Sequence, residues 1–289
     1  MRIDHVLLTR FNLPTPGVES LVRAQEGWLI DRMALFERYC FRSVEQQSEQ
    51  GFQWIIYLDT QSPQWLRDRI GELGSGGLFT AIYRDEVPQD VLIADIRRVS
   101  GAAGDVLLTT NLDNDDGLAV DFVHRVQSAV KDQRRVALYL GNGLIQQGGR
   151  LYLRRDPKNA FCSVSDSWQD PSTCWVDWHT KLGELMPVVE ILGSPGWLQM
   201  IHTGNVSNRV RGYRVAPGRY KEIFKVGLDE VGEPAALKLL LDGCVLAPGR
   251  AARDALRRAG KALILGVAGK SGLDAFKSFI AGDASTRAH

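Results

Sequence analysis

Hydrophobic and polar positions along this chain follow two rhythms. Short, near-continuous apolar runs read as strands, and stretches with apolar residues at helical spacing read as helices. His5 to Phe11 is the first run and stops at Asn12-Leu13-Pro14. Residues 27–48 follow, with Trp28, Leu29, Met33, Leu35, Phe36 and Tyr39 on one apolar face. Phe52 to Leu58 (FQWIIYL) is apolar almost throughout, as in a strand buried on both faces of a parallel sheet. Asp59 closes it. Ser62-Pro63 predicts the next helix, with serine as its cap and proline in its first turn. Leu78 to Tyr83 reads as a third strand, residues 89–100 as a helix, 106–112 as a fourth strand and 119–131 as a further helix. This βαβαβαβα order predicts an α/β fold, a doubly wound sheet with helices on both faces. Such sheets bind ligands at the carboxyl ends of their strands, where Arg10, Asp59 and Asp113 fall.

Beyond residue 135 the rhythm changes. Arg135 to Leu140 and Gly149 to Arg154 read as strands joined by a Gly-rich turn, with Gly141-Asn142-Gly143 and Gly148-Gly149 as hairpin turns. Residues 156–180 read as irregular, 183–192 as a short helix or an extended segment, and Trp197 to His202 as a short apolar run. From Pro217 onward the periodicity is helical.

The stretch VLLTTNLDNDDGL, residues 106–118, carries the chemistry. A strand runs into Asp113-Asn114-Asp115-Asp116, and alternation points Asp113 and Asp115 to one side. Neighbouring carboxylates repel unless a cation lies between them. Mg²⁺ or Mn²⁺ takes a few protein oxygens and fills its other positions with water and phosphates. Asp, Asn and Gly also make an ordinary turn, and that reading stays open at this point.

Charge and cysteine content remove other classes. Lys and Arg number 35 against 34 Asp and Glu, a net charge of +1, which gives no support to a nucleic-acid binder. Cys40, Cys162, Cys174 and Cys244 are scattered without a CxxC pair, so neither a zinc site nor a disulfide framework is indicated. No signal-peptide pattern or membrane-spanning run is read, and the expected location is the cytoplasm.

HVLLTRFNLP, EGWLIDRMALFERYC, FQWIIYLDTQSPQW and LDNDD, with the later WHTKL and WLQMIHTGNVSNRVRG, resemble the putative rhamnosyltransferase family of bacterial glycosyltransferases over roughly residues 3–215. The resemblance implies a GT-A-type, Rossmann-like sheet whose DxD motif grips a divalent metal (Mn²⁺ or Mg²⁺) and a nucleotide-sugar. It implies a glycosyltransferase domain over residues 1–215 and a helical C-terminal extension over 216–289.

Asp115 is then the main expected metal ligand, with Asp113 on the ribose or a metal-bound water, Asp116 a further candidate and His202 a late-segment ligand. Similar enzymes take a base from a segment after the middle strands. Asp166 leads there, ahead of Asp170 and Asp177, and His179 is a candidate for contact with acceptor or diphosphate. Arg10, Asp59, Arg98 (or its neighbour Arg97), Arg209 and Arg211 are the donor-binding candidates. Similar proteins carry an arginine where this chain has Asn111.

The implied partners are a UDP- or dTDP-sugar donor and a glycan or lipid-linked acceptor. Basic residues among apolar ones over 250–280 leave open peripheral contact with the inner face of the membrane, packing on the catalytic domain, or contact with a second copy. Packing is favoured, because Leu263, Ile264, Leu265 and Val267 look like core material. The competing functions are a nucleotidyltransferase and a non-catalytic nucleotide-binding scaffold. The first would show a basic Gly-rich loop after the first strand, which Arg10-Phe11-Asn12-Leu13-Pro14 is not.

Overall fold

The computed structural model describes residues 1–14, 27–202, 209–256 and 259. The chain divides into two compact units, one formed by Met1–Val210 with Val215–Pro234 and the other by Arg211–Arg214 with Ala235–His289. Residues 215–234, expected to begin the extension, thus group with the first unit. They are mostly turns rather than helix. Tyr220, Phe224, Leu228 and Val231 bury themselves against Leu144, Leu151 and Leu198.

The main sheet uses the strands that the apolar runs predict: β1 (Ile3–Arg10), β2 (Gln53–Leu58), β3 (Thr80–Tyr83) and β4 (Val106–Asn111). Adding β6 (Val136–Leu140), β9 (Ser163–Ser167) and β10 (Val188–Ile191), its order is β10-β6-β9-β4-β1-β2-β3. β9 alone in this sheet runs against its neighbours. Parallel strands covered on both faces must be apolar on both faces. Val6, Leu7, Leu8, Ile55, Ile56 and Tyr57 are accordingly fully buried.

β9 lay in a stretch read as irregular. Its sequence SVSDS is polar, but Ser163 and Ser165 are fully buried. Ser163 Oγ meets Thr110 Oγ1 at 2.6 Å, so part of that polarity is satisfied inside the sheet.

The helices are α1 (Trp28–Leu35), a π-helical turn over Phe36–Phe41, α2 (Arg42–Glu45), α3 (Gln64–Gly74), α4 (Gln89–Ser100) and α5 (Phe122–Ala129). The π-helical turn buries Phe36, Tyr39, Cys40 and Phe41 together. Phe36 packs on Phe11 and Trp54, with ring centroids 5.4 and 5.7 Å apart. Ser62 does not cap α3: its hydroxyl donates to the Asp59 carbonyl, and Pro63 stands at the cap position.

In the first unit a second sheet holds β8 (Arg150–Arg155), β7 (Asn142–Gln147), β11 (Trp197–Ile201) and β5 (Gly117–Leu118), in that order. The expected hairpin of β6 with Gly149–Arg154 is therefore corrected. β6 stays in the main sheet, and the chain crosses to β7 through Gly141. Gly143 is a strand residue whose missing side chain makes room for the Trp197 ring. Gly148 and Gly149 do form the β7–β8 turn, at φ of 53° and 69°. Residues 182–191 supply both alternatives, α6 (Leu182–Leu185) and then β10.

Candidate active site

The acidic loop bridges the two sheets. β4 ends at Asn111 in the first, and β5 starts at Gly117 in the second. Asn114 anchors the loop, because its amide nitrogen donates to the Arg10 and Phe11 carbonyls at 3.0 and 2.6 Å. The three carboxylates therefore point in different directions.

Asp115 is buried, and its Oδ2 lies 2.9 Å from His202 Nε2 and 2.5 Å from Arg32 Nη1. Burial alone would push the Asp115 carboxyl up. The His202 bond and the Arg32 charge outweigh it and hold the carboxyl below the ordinary range. Asp113 stays exposed, 3.3 Å from the Asn111 amide nitrogen. Desolvation by the surrounding chain, and then the Asp115 charge, still push its carboxyl up to about 6.

The chain turns at Asn114-Asp115, with the Asp116 N–H donating to the Asp113 carbonyl at 3.3 Å, and this turn rather than strand alternation directs Asp116. Asp116 is buried, and its Oδ1 accepts the Met200 N–H at 2.8 Å. Burial first, and then the charges of Asp115 and Asp113, push its carboxyl well above the usual range. Its Oδ1 is thus engaged by the β11 backbone, whereas Asp115 meets His202.

Two residues that sequence reasoning missed complete this end of the sheet. Arg32 comes from α1, and Trp175 from the segment after β9. The Arg10 guanidinium lies 4.0 Å from the centre of the Trp175 ring. The Trp175 indole N–H donates to Asn111 Oδ1 at 2.7 Å, and Tyr57 packs against the same ring at 5.6 Å. Trp175 carried a signal in its position within WVDWHTKL, whereas a single arginine on a helix carried none. Asp177 follows in the same segment, and its carboxylate accepts the Trp178 N–H. The His179 carbonyl accepts the Tyr139 hydroxyl at the end of β6, and burial pushes the His179 imidazole down. Asp59 lies at the end of β2, where its N–H donates to Asn12 Oδ1 and its Oδ1 accepts the Gln61 N–H.

Asp166 and Arg98 lie elsewhere. Asp166 pairs with Leu107 across β9 and β4, near the start of β4 and far from Asp113. It is buried, bonded at 2.6 Å to Arg135 and at 2.8 Å to the Ser172 N–H. The segment expected to supply a base is an antiparallel strand, so it carries Asp166 away from the acidic loop. Asp166→Asn is expected to leave the transfer rate within about twofold and to cost about 2 kcal/mol, because charged hydrogen bonds are lost. Thermal unfolding alongside a rate assay checks this, and a hundredfold rate loss at unchanged stability would reverse it.

Arg97 and Arg98 close the last turn of α4, which returns to the strand starts. There Arg97 stacks on Trp168 at 4.7 Å, and Arg98 meets Asp95 at 3.3 Å. A helix between parallel strands brings only its first turn near the carboxyl ends, and there Gln89 bonds the Trp175 carbonyl. Asp170 is fully exposed beside Arg135. Arg209 is exposed just after residues 203–208, which lie outside the described residues. Arg211 belongs to the second unit, where it pairs with Asp254 at 3.0 Å.

The residues present suit a hard divalent ion with few protein ligands. A carboxylate and an imidazole converge at Asp115 and His202, with a second carboxylate two residues away. Among the described residues no three His, Cys, Asp or Glu side chains form a closed cage.

The family model described as "Putative rhamnosyl transferase" matches residues 4–214. No curated protein matches the chain. Among solved structures, S. aureus TarS 1-349 in complex with UDP-GlcNAc is similar at 9% identity and a TM-score of 0.42, over 76% of this chain and 64% of that one. GalNAc-T7 with UDP, GalNAc and Mn²⁺ is similar at 13% identity and a TM-score of 0.40, over 72% and 45%. A putative glucose-1-phosphate thymidylyltransferase from Bacillus anthracis is similar at 13% identity and a TM-score of 0.34, over 68% and 88%. The chain spans less than two thirds of the TarS and GalNAc-T7 chains that it matches. Matched over most of its length, it belongs to the putative rhamnosyl transferase family.

Proposed function

We propose that the chain transfers a sugar, rhamnose by the family's description, from a UDP- or dTDP-linked donor to a hydroxyl of a glycan or lipid-linked acceptor. The observation that carries this reading is the meeting of Asp115 and His202 at 2.9 Å, beside the open carboxylate of Asp113. Asp115 and His202 would hold Mg²⁺ or Mn²⁺, with Asp113 toward the donor. The ion would offset the charge that grows on the departing diphosphate. Arg10, presented on the Trp175 ring, can pair with phosphate oxygens or the base, and Asp59 faces the donor from β2. Trp175 holds Arg10 and Asn111 at this end of the sheet. With Asp166 remote, Asp177 is the carboxylate proposed to take the acceptor proton. His179 and Arg209 complete the proposed contacts.

Thermal unfolding against nucleotides, with and without Mn²⁺, tests the reading. Ligand at a hundred times its Kd adds about 2.7 kcal/mol, which in a domain of this size is a rise of about 5–10 °C. A rise with one diphosphate nucleotide that needs the metal supports the donor site. Absence of any rise, with the fold intact, would leave the chain as a scaffold.

Contact with anionic lipid is proposed for the second unit. No helix among the described residues is long and apolar enough to cross a membrane. Leu237, Leu240, Leu241 and Val245 are 50–74% exposed on the helical run from Ala236. Arg253, Arg257, Arg258, Lys261, Lys270 and Lys277 follow in sequence. Apolar and basic groups together suit an anionic lipid surface. Salt-sensitive co-sedimentation with anionic but not neutral vesicles is the expected outcome, and equal behaviour with both would remove the proposal.

A further inference from the structure

Asp115 already has a cation. Arg32 Nη1 lies 2.5 Å from its Oδ2 and 3.1 Å from Asn114 Oδ1. Both partners are nearly sequestered, at 11% exposure for the Arg32 side chain and 8% for Asp115. The pair is therefore an interior one, where like charges repel strongly and an unmatched charge is costly. A divalent ion reaching Asp115 Oδ2 would meet a guanidinium at ion-pair distance on the same oxygen. The two positive charges would compete for it.

The surroundings allow an exchange. Arg32 sits one turn after Trp28, with its guanidinium 5.0 Å from the Trp28 ring centre. An aromatic face is a site where a displaced guanidinium can rest.

We propose that Arg32 is the resting counter-ion of Asp115 and leaves that carboxylate when a divalent ion binds. The inference rests on the metal site proposed above. Arg32 is then a positioning residue: it holds the acidic loop in shape before loading and lowers the affinity of the empty enzyme for metal. Donor diphosphate, which brings its own oxygens to the ion, shifts the exchange toward the loaded form.

Mn²⁺ binding to the nucleotide-free full chain, followed by the paramagnetic resonance of free Mn²⁺, tests this. Arg32→Gln is expected to bind Mn²⁺ about tenfold more tightly than wild type, within the usual range for coupled sites. Asp115→Asn placed on top of it should abolish the gain. Arg32→Lys keeps the charge without the planar fork and should fall between the two. Affinity in Arg32→Gln equal to or below wild type, with Asp115→Asn still losing Mn²⁺, overturns the exchange and leaves the metal site standing. No Mn²⁺ binding to wild type or to Arg32→Gln removes the metal site and the exchange together. On the unaltered chain, Mg²⁺ should shift the Arg32 side-chain Nε–H resonance. A resonance that stays fixed while Mg²⁺ binds overturns the proposal without any variant.

Discussion

Asp115→Ala is expected to lower sugar transfer by about 10²–10³-fold, the scale of losing one preorganised electrostatic contact at a developing charge. Asp115 is the carboxylate on which His202 and Arg32 converge, so its removal dissolves the meeting point. Stability changes through two opposed effects. Arg32 loses its partner in a nearly buried setting, which by itself costs about 3–5 kcal/mol. Asp113 and Asp116 lose a repelling neighbour, which returns part of that. A net loss of about 2 kcal/mol is expected, below the range of about 3–5 kcal/mol for breaking a buried pair, because the two effects oppose. Asp115→Asn separates the effects, because it keeps the volume and an acceptor oxygen but not the charge. It should lose less stability than Asp115→Ala, because the volume and an acceptor for Arg32 remain, and still lose transfer and Mn²⁺ affinity. Wild-type rates in Asp115→Asn would sink the assignment of this carboxylate.

Gly143→Ala should be among the most destabilising methyl additions in the first unit. A Cβ there would lie 2.0 and 2.1 Å from two atoms of the Trp197 ring. That ring cannot retreat. It is 2% exposed, stacks on Phe161 with centroids 5.2 Å apart, and donates its N–H to the Leu140 carbonyl at 2.9 Å. Overpacking of this kind costs about 3 kcal/mol, a fall of about 6–12 °C in Tm. Function should suffer too, because β11 leads from Trp197 to Met200 and His202. Gly148→Ala is the control: nothing lies within 4 Å of its Cβ, and only its φ of 53° opposes the change. About 1 kcal/mol is expected there from the left-handed backbone. A Gly143→Ala protein melting within 2 °C of wild type, a margin below about 1 kcal/mol, would contradict the packing argument.

The parallel half of the fold was legible because its strands are apolar on both faces and its helices are periodic. Legibility failed where the sheet uses polar residues. β9 is made of small serines and Asp166, so it reads as loop, and the base expected from that region went with it. The strand-end rule located Arg10, Asp59 and the acidic loop. Arg98 failed because position along a helix, not nearness in sequence to the acidic loop, decides which end of the sheet a side chain serves. Alternation does not apply at the acidic loop, because the chain turns over Asn114 and Asp115 instead of staying extended. Arg32 was invisible, since only tertiary contact brings α1 to Asn114 and Asp115.

The short connection from β4 to β5 also limits how this protein can be altered. Between Asn111 and Gly117 the chain uses Leu112 to bond β1, Asn114 to bond Arg10 and Phe11, and Asp116 to bond β11. It has no slack to absorb an added residue, whereas the β7–β8 turn has open space at Gly148, with Gly149 set against the Glu230 carbonyl. Chimeras that exchange β7, β8 and β11 between relatives should therefore carry the acidic loop and residues 117–118 with them. Library diversity belongs at the hairpin tip, where length can change while the spacing of Asp113, Asp115 and His202 is preserved.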